Sequence, residues 1–198
     1  MLTIGHIIET YDKPGTVILL EGKRAVLPAD QQKLIEVGKL LAGSTKYILF
    51  RSGNAKGADY YFSQGVAQVD PSRLQIITPY PGHRRKSSIG HQTIALDDVD
   101  LASEPDVIFH TKNSSSVAPL IDGFLKAGDN ALTVKARYLL RDTIKVVGTS
   151  KLQPATLAIF YDDLVKPKTG GTGHTMRVCD KNGIPYIDQK VWFMWVEQ

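Results

Sequence analysis

Short runs of consecutive apolar residues recur along the chain, each bounded by polar residues, glycine or proline. Such a run, about four to eight residues long, is typical of a strand that is buried on both faces of a parallel sheet. The runs therefore predict strands at residues 17–20, 47–50, 74–78, 107–110, 157–161 and 185–187.

Between most of these runs, apolar residues recur with the period of an amphipathic helix. This spacing predicts helices at residues 30–41, 60–68, 117–126, 131–147 and 175–181. The alternation of strands and helices indicates an α/β fold with a Rossmann-like, mostly parallel sheet and helices on both faces. We expect residues 1–198 to form a single domain of this kind.

Two glycine-rich turns each follow a predicted strand and precede a predicted helix. Glycine lets the backbone approach a ligand, and the free N–H groups of a first helical turn attract anions. Both turns would lie at the carboxyl ends of strands, where open α/β sheets bind ligands. One such turn is equally compatible with a plain connection, but two of them favour a phosphate site. Their sequences are Ser52-Gly53-Asn54-Ala55-Lys56-Gly57-Ala58-Asp59 and Thr169-Gly170-Gly171-Thr172-Gly173-His174-Thr175-Met176-Arg177.

These turns resemble two signatures of the SLOG superfamily of Rossmann-like proteins. The first is similar to the motif SGGA(R/K)GAD and the second to the motif GGxGT. The superfamily includes the DNA-processing protein A family, the LOG phosphoribohydrolases and the YspA-like proteins. A looser match at residues 136–142 falls where some members carry an Arg-rich helix start, and the resemblance covers roughly residues 15–190. It implies that the chain binds a nucleotide or nucleotide-derived ligand, as a sensor or carrier.

The second turn departs from the LOG pattern at the position of its glutamate. In PGGxGTxxE this glutamate takes part in cleaving the N-glycosidic bond of a nucleoside monophosphate, whereas Met176 and Arg177 stand near that position here. The next carboxylate is Asp180. We therefore expect binding rather than turnover, and N-glycosidic hydrolysis with Asp59 or Asp180 as the acid or base is the alternative.

The chemistry of each residue in and near the two turns predicts which part of the ligand it would contact. Glycines would shape the crevice, hydroxyl and amide side chains would bind phosphate, and arginines would neutralise its charge. Asp59 would hold a ribose or cap the backbone of its own turn. The complete expected set is Ser52, Gly53, Asn54, Gly57, Asp59, Arg84, Arg85, Arg141, Gly170, Gly171, Thr172, Gly173, Thr175 and Arg177.

Basic residues outside the turns leave two interpretations open. The pair Arg84 and Arg85 follows a predicted strand, and either Arg137 or Arg141 could point into the crevice from the helix at 131–147. A solvated charged surface is the plainer interpretation of both. The same positions would serve a third function, binding of single-stranded DNA like that of DNA-processing protein A, with Tyr80 and Tyr138 as the candidate stacking residues.

Charge and composition limit the possible ligands, cofactors and location of the protein only slightly. The net charge of +4 mildly favours anionic ligands without identifying a nucleic-acid binder. The single cysteine, Cys179, excludes an internal disulfide and is expected in the core. The five histidines have no metal-ligand spacing, so we expect neither a metal nor another required cofactor. No signal peptide or membrane-length apolar stretch is evident, which predicts a cytoplasmic protein.

Two further segments carry weaker expectations. Residues 80–130 match no known pattern and are expected to form an insertion, a lid or an oligomer contact, with a polar loop at 113–117. The aromatic end at residues 191–196 predicts an edge strand packed against the core, or a homo-oligomer interface.

Overall fold

A computed structural model describes residues 3–114, 116–131 and 133–196. In these residues the strands are β1 Val17–Gly22, β2 Leu49–Ser52, β3 Leu74–Thr78, β4 Gln92–Ala95, β5 Leu157–Tyr161 and β6 Tyr186–Ile187. All of their pairings are parallel. The helices are α1 Ile4–Tyr11, α2 Pro28–Ser44, α3 Ala58–Ala67, α4 Pro105–Ser114, α5 Ala118–Ala127, α6 Val134–Val147, α7 Gly170–Lys181 and α8 Gln189–Trp192.

The order of the strands places a natural crevice beside β1. The sheet runs β4-β3-β2-β1-β5-β6, so the chain builds outward from β1 in one direction and then returns to build β5 and β6 on the other side. The direction of winding reverses between β1 and β5. At such a switch point the connections leave in opposite directions, and a crevice opens at the carboxyl ends of the two strands.

The sheet is covered on both faces, as expected from the continuous apolar runs. Ile18 and Leu20 of β1 pack in the cluster that contains α1, α2, α3 and the buried Trp192. Leu19, between them, faces the opposite side and packs with residues of α6 and α7. Further residues of α4, α5 and α6 form the rest of that second layer. The Rossmann-like α/β architecture is confirmed.

One predicted strand is wrong and one real strand was missed. Residues 107–110 belong to helix α4, which begins at Pro105, and Val107 is buried against α6. A short apolar run does not distinguish a strand from one turn of a buried helix. The missed strand is β4 at one edge of the sheet, whose first residues are exposed and polar, so it carries no apolar run.

The aromatic carboxyl end is helical rather than an edge strand. Trp192 ends α8 and is completely buried, with its indole Nε1 donating to the carbonyl of Phe160 at 2.9 Å. Asp188 caps α8 by accepting from the backbone N–H of Lys190. The expected packing against the core is therefore confirmed, and the strand was wrong. Ser115 of the predicted polar loop and Leu132 of the predicted helix at 131–147 lie outside the described residues.

A cluster of buried charged side chains joins β1 to α6 and α7. The Nζ of Lys145 lies 2.6 Å from Glu21 Oε2 and 2.9 Å from Asp142 Oδ1. Arg141 Nε lies 3.0 Å from the same Asp142 oxygen, and Thr175 donates to Glu21 Oε1 at 2.9 Å. Buried charges are tolerated only when they are paired. The cluster therefore fixes these three elements against one another at the carboxyl edge of the sheet.

The protonation of the cluster follows from burial and neighbouring charge. Burial raises the pKa of Glu21 to about 7, although the ammonium of Lys145 opposes the shift. Burial alone would also raise the pKa of Asp142, but Arg141 and Lys145 outweigh it and the pKa is lowered. Burial alone would lower the pKa of Lys145, but Asp142 and Glu21 outweigh it and the pKa is raised. At neutral pH, Asp142 and Lys145 are charged and Glu21 is near its midpoint.

Replacing the central cation should destabilise the fold strongly. We expect Lys145→Met to lower the free energy of unfolding by about 3–5 kcal/mol, because it leaves buried carboxylates short of a partner. Lys135→Met, on the exposed first turn of the same helix, should change it by less than about 0.5 kcal/mol. Urea unfolding of both variants checks this, and equal effects would contradict the role of the cluster.

The raised pKa of Glu21 gives a pH-dependent prediction. Between its unfolded value of 4.5 and about 7, the folded protein holds a proton that the unfolded chain releases. Stability from this group is therefore present at low pH and is lost as the pH rises through that window. The stability of the wild type relative to Glu21→Gln should fall between pH 5 and pH 8, by up to about 3 kcal/mol. A difference that does not change with pH would show that Glu21 titrates normally.

Candidate functional site

A cavity of about 810 Å³ opens at the carboxyl end of β1, between α6 and the amino end of α7. We call it the main cavity. Its volume falls within the range of roughly 300–1,000 Å³ that is typical of small-molecule sites. It is lined by Glu21, Gly22, Lys23, Arg24, Ala25, Ala55, Asp59, Val117, Val134, Lys135, Tyr138, Leu139, Arg141, Asp142, Thr169, Gly170, Gly171, Thr172, His174 and Arg177.

The amino end of α7 opens into the main cavity without a side-chain cap. Thr169 occupies the N-cap position, but its hydroxyl donates to the carbonyl of Lys166 at 3.2 Å instead of accepting from the helix. The helix begins at Gly170, five residues earlier than predicted, so the second glycine-rich turn is itself the first helical turn. Its N–H groups carry the positive end of the helix dipole and are ready to bind an anion.

Two glycines are required by close approach of backbone rather than by ligand contact. A Cβ on Gly173 would lie 2.0 Å from the backbone of Lys168, so only glycine lets the loop before α7 pack on its first turn. Gly57 has a φ of +83°, and a Cβ there would lie 2.3 Å from the carbonyl oxygen of Arg24. These contacts bring the loops after β1, β2 and β5 to the edge of the crevice.

Asp59 caps the backbone around the first turn. Its carboxylate accepts from the backbone N–H groups of Gly22 at 3.2 Å, Gly53 at 3.1 Å and Ala55 at 3.3 Å. Of the two sequence-based roles, this geometry corresponds to capping, although the side chain also lines the main cavity. Its carboxylate ties the end of β1 to the turn after β2.

Three other expected phosphate ligands make internal hydrogen bonds and do not line the main cavity. Ser52 donates to the carbonyl of Leu20 at 2.9 Å, and Asn54 donates to the carbonyl of His83 at 3.0 Å. Thr175 donates to Glu21 within the buried cluster. These polar side chains therefore stabilise the strand ends and turns that surround the crevice, without facing it.

The arginines divide into two groups. Arg141 and Arg177 line the main cavity, and each also donates a hydrogen bond to a backbone carbonyl. Arg141 Nη1 donates to the carbonyl of Gly53 at 2.6 Å, and Arg177 Nε donates to the carbonyl of Ser114 at 2.7 Å. Arg137, the other candidate on α6, forms ion pairs with Asp97 and Asp129 instead. Of the two α6 arginines, the fold brings only Arg141 to the main cavity.

Gly57 and Arg84 lie in a second, smaller pocket of about 300 Å³, which we call the side pocket. It shares Arg24 with the main cavity. Arg85 lines neither of the two and is exposed. The side pocket is lined by Arg24, Val26, Gln31, Lys56, Gly57, Tyr60, Tyr61 and Arg84.

Sequence reasoning missed the residues at the end of β1 and directly after it. Glu21, Lys23 and Arg24 are not among the expected site residues, yet all three line the main cavity. The available signal was a carboxylate directly after a continuous apolar run, followed by a glycine and two cations. Lys135 was missed because the register of α6 relative to the sheet is a tertiary property.

The two carboxylates proposed as catalytic acids lie in different places. Asp180 is outside the main cavity and pairs with Lys168 Nζ and the hydroxyl of Tyr186, both at 2.9 Å. Burial opposes ionisation of Asp180, but these partners outweigh it and lower its pKa. Asp59 accepts hydrogen bonds from three backbone N–H groups, as described above. Glu21 combines a position in the cavity with a pKa of about 7, the range that acid–base chemistry uses.

Three remaining expectations concern Cys179, a metal site and a membrane-spanning helix. Cys179 is completely buried, as expected, and burial raises the pKa of its thiol to about 12. The described residues contain no group of three or more histidine, cysteine or acidic side chains placed to hold a metal ion. No helix within the described part of the chain is both long enough and apolar enough to cross a membrane.

Comparison with known proteins gives a likeness in fold. No family model matches the chain, and no curated protein matches it. A solved structure of DNA processing protein A from Helicobacter pylori, whose single-stranded DNA binding mode is described as unique, is similar with a TM-score of 0.55 and 14% sequence identity. The match covers 88% of this chain but 65% of that one, less than two thirds of its length. At this identity, the likeness is one of fold.

Proposed function

We propose that the protein binds a nucleotide or nucleotide-derived ligand in the main cavity, with a phosphate group at the amino end of α7. The observation that carries the proposal is the uncapped first turn of α7 at the wall of a cavity of nucleotide size. A helix start of this kind offers several N–H donors and a positive dipole to one anion.

Positive side chains around the same opening support a phosphate ligand. Lys23, Arg24, Lys135 and Arg177 all line the main cavity. Lys23 pairs with Asp163 at 2.9 Å, and both side chains are partly exposed. Among the described residues, neither Arg24 nor Lys135 has a carboxylate within ion-pair distance. These cations would attract an anionic ligand and partly neutralise it.

The carboxylates of the main cavity favour one orientation of the ligand. Glu21 and Asp142 lie in the buried cluster, where Lys145 and Arg141 offset their charge. A phosphate would be repelled from Glu21, whereas the Asp142 carboxylate lies beside Gly171 in the first turn of α7 and is offset by Arg141 and Lys145. The phosphate would therefore be drawn to the N–H groups of that turn. The apolar lining from Val117, Val134, Tyr138 and Leu139 would then receive the base, with the Tyr138 ring available for stacking.

A change at Thr169 tests the phosphate site directly. Thr169→Asp should cap α7 and raise the free energy of unfolding by about 0.5–1 kcal/mol, because a carboxylate at the N-cap is favourable. The same carboxylate would occupy the helix N–H groups and repel phosphate, so the affinity for nucleoside monophosphates should fall at least about tenfold. Isothermal titration with AMP, dTMP, ADP-ribose and NAD measures this.

Thr169→Asn is the matched control, because it caps the helix without adding charge. It should weaken binding less than Thr169→Asp does at equal stability. A panel in which no nucleotide binds the wild type would overturn the proposal, and equal affinity in the wild type and Thr169→Asp would exclude α7 as the phosphate site. Chromatography of the same mixtures detects released free base, which would identify a hydrolase rather than a sensor or carrier.

Binding of single-stranded DNA is the second candidate function. It is favoured by the likeness to DNA processing protein A, which is described as binding single-stranded DNA. A strand bound through its phosphates should lose affinity steeply with salt, with a log–log slope of about 0.7 per phosphate contacted. Fluorescence anisotropy of a labelled twenty-nucleotide strand across a salt series measures the slope. No binding at low salt would remove this candidate while leaving nucleotide binding intact.

A further inference from the structure

The side pocket concentrates positive charge next to the main cavity. Arg24 lines both, and Lys56 and Arg84 line the side pocket together with the rings of Tyr60 and Tyr61. Within the described parts of the chain, none of these three cations has a carboxylate within ion-pair distance. Three like charges at one pocket repel one another unless an anion is shared between them.

Arg84 is held in this place by contacts between the first glycine-rich turn and the loop after β3. Its Nη1 donates to the carbonyl of Asn54 at 2.9 Å, while the Asn54 side chain donates back to the carbonyl of His83. The guanidinium lies 5.8 Å from the centre of the Tyr60 ring. Arg84 has a φ of +47°, a left-handed conformation that is uncommon outside glycine. The guanidinium is therefore positioned at the side pocket by two reciprocal contacts.

The electrostatics of neighbouring groups agree with a positive site. The pKa of His83 is lowered, first by burial and then by the charges of Arg141, Arg84 and Arg24. Asp59 is the acidic group that opposes this shift, and its carboxylate is engaged by backbone N–H groups. An anion bound in the side pocket would relieve the repulsion among these cations.

We propose that the side pocket is a second phosphate-binding subsite, and that the ligand is a dinucleotide whose two phosphates lie at α7 and in the side pocket. The inference rests on the proposed function, because it places the first phosphate at α7. Arg24 lies between the two sites and contacts the linking part of the ligand. Tyr60 and Tyr61 supply faces for the second sugar or base.

Phosphodiester-linked nucleotides have two possible sources, a free dinucleotide or the end of a nucleic acid strand. Both present the same chemistry to the side pocket. They differ in length, because a strand continues beyond the second phosphate and gains further contacts outside the two pockets. Ligands of increasing length therefore distinguish them.

The test compares AMP, the 5′-phosphorylated dinucleotide pApA and a 5′-phosphorylated ten-nucleotide strand by isothermal titration, with dTMP and pTpT as a second base series. The key variant is Lys56→Gln, which removes one cation of the side pocket from an exposed position. Its matched control is Lys86→Gln, an exposed lysine that lines neither pocket. Neither change touches the buried core, so both variants are expected to fold.

We expect the dinucleotide to bind the wild type about tenfold more tightly than the mononucleotide, the gain typical of one charge-assisted contact. Lys56→Gln should lose most of this gain while its affinity for the mononucleotide stays within about twofold of the wild type. Lys86→Gln should change neither affinity. A ten-nucleotide strand that binds no more tightly than the dinucleotide identifies a free dinucleotide as the ligand, and a further gain of tenfold or more identifies a strand end.

Two results would overturn the second subsite. One is a dinucleotide that binds no more tightly than the mononucleotide in both base series. The other is a Lys56→Gln variant that weakens both ligands equally, since Lys56 would then act on the first phosphate or on the overall field. In either case mononucleotide binding, and with it the proposed function, would stand. If neither ligand binds the wild type, both proposals fail together.

Discussion

The buried pairing of Glu21 with Lys145 is the interaction on which the site depends. Glu21 is the penultimate residue of the central strand β1, and Lys145 belongs to α6, which crosses over the sheet before β5. Both side chains are buried at their contact of 2.6 Å, so solvent would offset little of the loss of either partner. The pair, extended by Asp142, Arg141 and Thr175, therefore holds α6 and α7 at fixed positions around the end of β1. The main cavity is the space that these positions leave open.

The cluster also shapes the charge around the proposed anion site. Its cations offset the carboxylates at the base of the main cavity, so the uncompensated positive charge lies at the amino end of α7 and on the exposed side chains of Arg24 and Lys135. Gly173 lets the preceding loop pack against that helix start. The tight turn and the charge distribution thus act together in the proposed phosphate site, since the first exposes the N–H groups of α7 and the second places positive charge near them.

Strands with a continuous apolar run were predictable, including β6 at one edge of the sheet, whereas β4 at the other edge was not. β5 matches its predicted range because every residue in it is buried and belongs to one apolar run. β3 matches as well, although its buried run includes Gln75, whose amide is paired with Arg51 and Gln92. The edge strand β4 is exposed at its first residues and leaves no such run. Of residues 107–110, Val107 is buried against α6 and Phe109 is exposed, and a single helical turn of this kind has the same composition as a short strand. The carboxyl end is aromatic because Trp192 fills the core from a short helix.

By itself, the sequence determined the Rossmann-like architecture, the two glycine-rich turns at the carboxyl edge and the position of α7 after β5. These features are local, because hydrophobic period and glycine placement act within a few residues. Only the tertiary structure decided which polar side chains face the main cavity: Asn54 and Thr175 turn away from it, while Glu21, Arg24 and Lys135 reach it. That choice depends on how helices α6 and α7 pack on β1. That packing includes an ion pair and a hydrogen bond to Glu21 from residues more than a hundred positions away, and no local pattern records such contacts.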